Sequence, residues 1–108
     1  MEIIQIDSIK DFKDSKIVKR VPILTEQLMA TILLIPPNSD APAHAHSESD
    51  EIHYIIKGKG KITVGESTEK INEGMLILVP KTESHHFSTS KANLIVLSQS
   101  PVCEPHKI

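Results

Sequence analysis

The stretch Pro42-Ala43-His44-Ala45-His46-Ser47-Glu48-Ser49-Asp50-Glu51-Ile52-His53 carries the densest chemical information in the 108-residue chain. In an extended segment, residues two apart point to the same face. A short strand over Ala43 to His46 therefore projects His44 and His46 together. The polar run Ser47 to Asp50 reads as a turn, after which Glu51 and His53 share a face of the next strand. Further along, His85 follows a loop and opens another strand.

Three imidazoles and one carboxylate make a mixed nitrogen and oxygen site. Such a set suits Fe(II), Mn(II), Ni(II), Zn(II) or Cu(II). At a six-coordinate metal it leaves positions open for water or substrate, as metal-assisted catalysis needs. The His-x-His pair is weak evidence by itself. With six histidines in 108 residues, chance supplies such a pair on the order of 0.3 times per chain. The wider pattern has to carry the argument.

Outward from this stretch, the chain reads mostly as short strands separated by turns. Ile17 to Leu24 is interrupted by Pro22, which predicts an edge or a bulge. Glu26 to Ile35 ends apolar on both faces and is expected to be buried on both sides. Pro36 to Asp40 is a loop. Glu51 to Lys57 is a strand that Gly58 is expected to end, and Lys61 to Val64 is another. Gly65-Glu66-Ser67 predicts a hairpin turn into Thr68 to Ile71. Asn72-Glu73-Gly74 is a further turn, and Met75 to Val79 is expected to be a buried strand. His85 to Thr89 and Ala92 to Gln99 complete the set, with Ser100 to Ile108 as a surface tail. A single helical turn is hinted at by Ile9, Phe12, Lys13 and Ile17. About nine or ten short strands in one chain predict an all-β sandwich or barrel.

Composition agrees. Length favours one domain over residues 1–108. Aromatic residues are 3% of the chain, while Ile, Leu and Val dominate its apolar part, as a β-rich core requires. A net charge of -2 with no tryptophan argues against nucleic-acid binding by charge or base stacking. The longest apolar run, Met75 to Val79, falls far short of the roughly 20 residues a membrane-spanning helix needs. A single cysteine, Cys103, excludes an internal disulfide and fits a cytoplasmic protein.

The residues flanking the histidines resemble the cupin family. Its first motif runs glycine, five residues, His-x-His, three or four residues, glutamate, six residues, glycine. His44, His46, Glu51 and Gly58 stand at those spacings, with Asn38 where the leading glycine would be. Its second motif runs glycine, five residues, Pro-x-Gly, two residues, histidine, three residues, asparagine. Gly74, Pro80 and His85 match, with Thr82 and Thr89 in place of the second glycine and the asparagine.

The resemblance implies a jelly-roll β-barrel of two antiparallel sheets, with its core over about residues 26–100. It implies a divalent transition metal (iron, manganese, nickel or zinc) held by His44, His46, Glu51 and His85. It also implies pairing into a homodimer, with the N-terminal segment 1–24 at the interface. Ile3 to Ile6 would then be an apolar strand able to join a partner's sheet.

Alternation turns His53 inward beside Glu51. It is the candidate catalytic residue, as a base or a hydrogen-bond donor to substrate; the competing reading is a histidine that only lines the interior. His86 should face away from His85. Glu48, Asp50 and Glu83 are loop charges that could orient an imidazole. Tyr54 is expected to pack on the opposite face, and Phe87 to line the interior with Ile55, Ile62 and Val64. Two functions follow: a metal-dependent oxygenase, isomerase or lyase acting on a small molecule in the barrel, or a non-catalytic module that binds a small molecule or metal.

Overall fold

The computed structural model describes residues 1–9, 16–41 and 49–101. The expected strand at Ala43 to His46, the helical hint around Phe12 and Lys13, and Cys103 lie outside these residues. Among the described residues the fold is a 3-10 helix, Ile6–Ile9, followed by seven strands. In chain order these are β1 (Val18–Leu24), β2 (Leu28–Ile35), β3 (Glu51–Val64), β4 (Ser67–Asn72), β5 (Leu76–Val79), β6 (His85–Ser88) and β7 (Leu94–Pro101). Every pairing is antiparallel.

The hydrogen-bonded order β1-β2-β7-β3-β4 runs through both layers, with β5 and β6 also paired to β3. The long strand β3 is the hinge of the architecture. Its first half pairs with β7 and β5, and its second half pairs with β4 and β6. The expectation that Gly58 ends a strand is therefore corrected: the strand runs on through it. Gly58 has φ 93, and the register against β7 slips between Ile55 and Lys57. The extra residue, Ile56, is a bulge that bends the strand. It also changes which residues face inward. Before the bulge the buried positions are Glu51, His53 and Ile55; after it the buried position is Ile62.

Pro22 sits where β1 slips against β2, between Arg20 and Ile23, so the predicted irregularity is a bulge on an edge strand. The missing N–H of proline costs nothing there. The hairpin turns around Gly65 by two residues, with Val64 opposite Ser67.

The inner core gathers Ile35, Ile55, Ile62, Ile71, Val79, Phe87, Leu94 and Val96, with Leu33 and Val64 packed at its margin. A second cluster lies on the other side of β2: Val18, Ile32, Leu34 and Ile95, flanked by Ile6, Ile9, Ile56 and Leu97. Strand β2 is thus covered on both faces at its end, as its two-sided apolar pattern predicts. Ile6 and Ile9 are one 3-10 turn apart and so reach the same surface. The expectation of a strand at Ile3 to Ile6 is corrected, because this segment turns into the short helix.

The expectation that Met75 to Val79 is buried also needs correction. Val79 is buried, but Leu76 and Leu78 are 71% and 61% exposed. An apolar run shows what a strand could bury, not whether anything covers it. At the other end, β7 extends through Ser100 and Pro101, two residues assigned by sequence to the tail.

Candidate metal centre

Three titratable side chains meet inside the fold. Strand β3 supplies Glu51 and His53, two apart and both inward. Strand β6 supplies His85, its first residue. They are 5%, 1% and 3% exposed, and a ligand atom from each lies within 4.8 Å of the others. Oε1 of Glu51 is 3.2 Å from Nε2 of His53 and 3.7 Å from Nε2 of His85. The two imidazole rings are 4.9 Å apart at their centroids. Phe87 closes one side, edge-on to both rings at 5.3 and 6.1 Å.

His53 is held from behind. Its Nδ1 is 2.6 Å from Oγ of Ser98, its direct partner on β7. Its Nε2 faces Glu51 without making a hydrogen bond to a described residue. The Glu51 carboxylate and the His85 imidazole lie together in this buried cluster, and imidazole nitrogen with carboxylate oxygen is a donor set that divalent transition metals accept. The residues present fit a metal ion.

Of the residues singled out by sequence, the structure brings together Glu51, His53 and His85. His44 and His46 lie outside the described residues, as do Glu48 and His106. His86 faces away, half-buried, with Nε2 3.5 Å from Oδ1 of Asp40. Phe87 touches the imidazoles as expected, and Ile55 and Ile62 share its core. Tyr54 faces the opposite side but is 41% exposed.

Asp50 has a different task from the one its sequence position suggests. Its Oδ1 accepts the backbone N–H of Lys81 at 2.8 Å. That bond fastens the loop before His85 to the start of β3. The same loop contains Thr82 at φ 72. With Glu83 N–H donating to Pro80 carbonyl at 3.3 Å, Thr82 is the third residue of a tight turn, the position where a positive φ favours glycine. Asn38, at φ 54, fills another such position with a residue that tolerates it.

Sequence reasoning missed Ser98. A lone serine in a strand gives no signal, and only the β3–β7 register puts it behind His53. Thr89, noted in the sequence only as the residue in place of the motif's asparagine, has a structural role: its Oγ1 donates to Pro36 carbonyl at 2.5 Å and accepts from Ser39 N–H at 3.0 Å. That hydroxyl ties the loop before the histidine stretch to the end of β6.

The sequence pattern of the cupin domain family matches residues 31–98, more than half of the chain. This chain belongs to the cupin family. Among curated proteins it is 31% identical over 52 residues to an uncharacterized protein of Methanocaldococcus jannaschii, covering 48% of this chain and 42% of that one. The chain spans less than half the length of the curated relatives it matches. An uncharacterized conserved protein with a double-stranded β-helix domain from Klebsiella pneumoniae superposes with a TM-score of 0.87 at 14% identity, over 96% of this chain and 92% of that one. A predicted oxalate decarboxylase from Thermotoga maritima superposes with a TM-score of 0.73 at 20% identity, over 80% of each chain. At these identities the structural likeness establishes the fold, the jelly-roll of a cupin. Among the described residues, no helix is long and apolar enough to cross a membrane.

Proposed function

We propose that this cupin binds one divalent transition metal (iron, manganese, nickel or zinc) and uses it as an enzyme acting on a small molecule held in the barrel. The observation that carries this reading is the buried cluster of Glu51, His53 and His85. In it Glu51 and His85 are ligands, joined by His44 and His46, which the sequence places just ahead of Glu51. Bound there, the metal would polarise a substrate oxygen or acidify a bound water. His53, oriented by Ser98, moves the proton. Phe87, Ile55 and Ile62 keep the surroundings dry, which strengthens each electrostatic contact. The Thermotoga protein's description as a predicted oxalate decarboxylase is in keeping with a small oxygen-rich substrate and a lyase reaction.

A second reading is favoured by the interior itself. Around the three polar residues the core is aliphatic, with few groups to recognise an elaborate substrate. A module that holds a small molecule or metal without turnover would look the same.

Elemental mass spectrometry on untagged protein tests the site, beside Glu51→Gln and His85→Ala. About one metal per chain, lost in both variants, supports it. No metal, and no uptake of added Fe(II), Mn(II), Ni(II) or Zn(II), overturns it. Turnover by the metal-loaded protein that His53→Gln abolishes while retaining metal separates the enzyme from the binding module.

The outward face of β3 and β5 favours a homodimer through a surface other than the N-terminal segment. Ile52 pairs with Leu78 and Tyr54 with Leu76, and all four are exposed. On a sheet with one solvated face these positions would alternate to polar. A second copy presenting the same patch would cover it isologously. Light scattering on Leu76→Glu/Leu78→Glu should then report a monomer.

A further inference from the structure

We propose a second ligand site in this chain, on the outer face of the β3–β4 hairpin, that takes a small molecule carrying clustered negative oxygens, a phosphate ester or a polycarboxylate. It shares no residue with Glu51, His53 and His85. Two lysines face each other across the hairpin. Lys61 on β3 is the direct cross-strand partner of Lys70 on β4, and Lys59 is the partner of Asn72. Like charges set opposite one another destabilise a sheet, so this arrangement costs the fold something that a glutamate at either place would have avoided. The loop after β6 brings Lys91 to the same place. The four lysines line one cleft of about 560 Å³, within the range of small-molecule sites.

None of the four ammonium groups makes an ion pair or hydrogen bond with a described residue. The nearest carboxylates in sequence do not line the cleft. Glu69 sits opposite Ile62 on β4, so alternation turns it to the other face. Glu66 and Glu73 belong to the turns at either end of β4. A chain with net charge -2 thus gathers one-third of its twelve basic residues in a single concavity. Interspersed signs are what solubility alone would favour. Clustered cations in a cleft focus the field and draw in anions.

The rest of the lining refines the ligand. Ser88 stands across from Lys61 on the side opposite Lys70, and Ser90 follows in the loop. Their hydroxyls and the Asn72 amide add donors for oxyanion oxygens, while Lys supplies compact point charges of the kind that bind phosphate. Met75 adds apolar surface. No aromatic ring lines the cleft, so there is no platform for nucleobases. A compact polyanion of metabolite size is the matching chemistry.

Calorimetric titration with inorganic pyrophosphate and with tricarballylate, at about 0.15 M ionic strength, tests the site and separates the two ligand classes. Four proteins are compared: the natural chain, Lys61→Gln/Lys70→Gln, Lys19→Gln as a lysine outside the cleft, and Glu51→Gln. The expected result is saturable binding of one anion per chain by at least one probe. It should weaken by about tenfold or more in the double variant and persist in the other two. Thermal melting adds an independent readout: Lys61→Gln should melt higher than the natural chain without anion, because the cross-strand repulsion is gone. Equal binding by the double variant, or no saturation by either probe, overturns the proposal. Loss of binding in Glu51→Gln also overturns it, because the anion would then be sitting at the metal centre.

Discussion

His53 and Ser98 face each other across the β3–β7 ladder, with Nδ1 of the imidazole 2.6 Å from the serine hydroxyl. Both are direct register partners, so backbone pairing itself sets the contact. The hydroxyl can accept from Nδ1–H or donate to a bare Nδ1, and whichever it does decides what Nε2 presents to Glu51. Ser98 is therefore a positioning residue for the centre.

Replacing it tests that role. Ser98→Ala removes the partner of a buried imidazole nitrogen and should cost about 1–3 kcal/mol in stability, read from denaturant unfolding. A role limited to packing would leave the ring untouched. Here the ring nitrogen resonances of His53 should move, and Ser98→Thr, which keeps the hydroxyl, should restore them. Unchanged His53 resonances in Ser98→Ala would show that the serine does not orient the ring.

Thr82 should be a site of gain. A β-branched residue at φ 72 carries strain of about 1–2 kcal/mol. Glycine relieves it but adds unfolded-state freedom worth about 0.5–1 kcal/mol. The relief is the larger effect, so Thr82→Gly should stabilise by up to about 1 kcal/mol, measured as a shift of the urea midpoint at constant m. Destabilisation would mean that the threonine side chain makes compensating contacts.

Much of this fold was legible because its turns are written in residue types with fixed conformational roles. Gly65-Glu66 reverses the chain, Gly74 closes the next turn at φ 91, and Asn38 takes the left-handed conformation its place demands. The inward pairing of Glu51 with His53 followed from strand alternation alone. Other features depend on distant neighbours and left no local mark. Gly58 looks like a strand end, and glycine at a bulge gives the same signal. The apolar run at Leu76 to Val79 gives no hint that its outer face lies open. Ser98, Thr89 and the Asp50–Lys81 bond depend on which strand lies beside which.

Thr89→Val measures one of these distant ties. The change is nearly isosteric, yet it removes the acceptor of Ser39 N–H and the donor to Pro36 carbonyl. Both contacts are part-buried, so loss of the hydroxyl should cost about 1–3 kcal/mol. Thr89→Ser, which keeps the hydroxyl, should cost markedly less. Equal losses for the two variants would assign the effect to the methyl group and its packing.

Two glycines offer the sharpest test of the hinge in β3. Gly58 and Gly74 have nearly the same backbone angle, φ 93 and φ 91. Their surroundings differ completely. A Cβ on Gly58 would lie 2.0 Å from the Asn93 carbonyl oxygen, whereas a Cβ on Gly74 meets nothing within 4 Å. Gly74→Ala therefore isolates the cost of the left-handed conformation, about 1–2 kcal/mol. Gly58→Ala adds a backbone collision that only movement of β3 away from the Asn93 turn can relieve, which places it among the rare substitutions costing more than about 4 kcal/mol. Because β3 also carries Glu51 and His53, a surviving Gly58→Ala protein should bind metal more weakly than Gly74→Ala. Equal stability of the two variants would mean that close strand approach at Gly58 does not hold the bend, and that the bulge at Ile56 makes it alone.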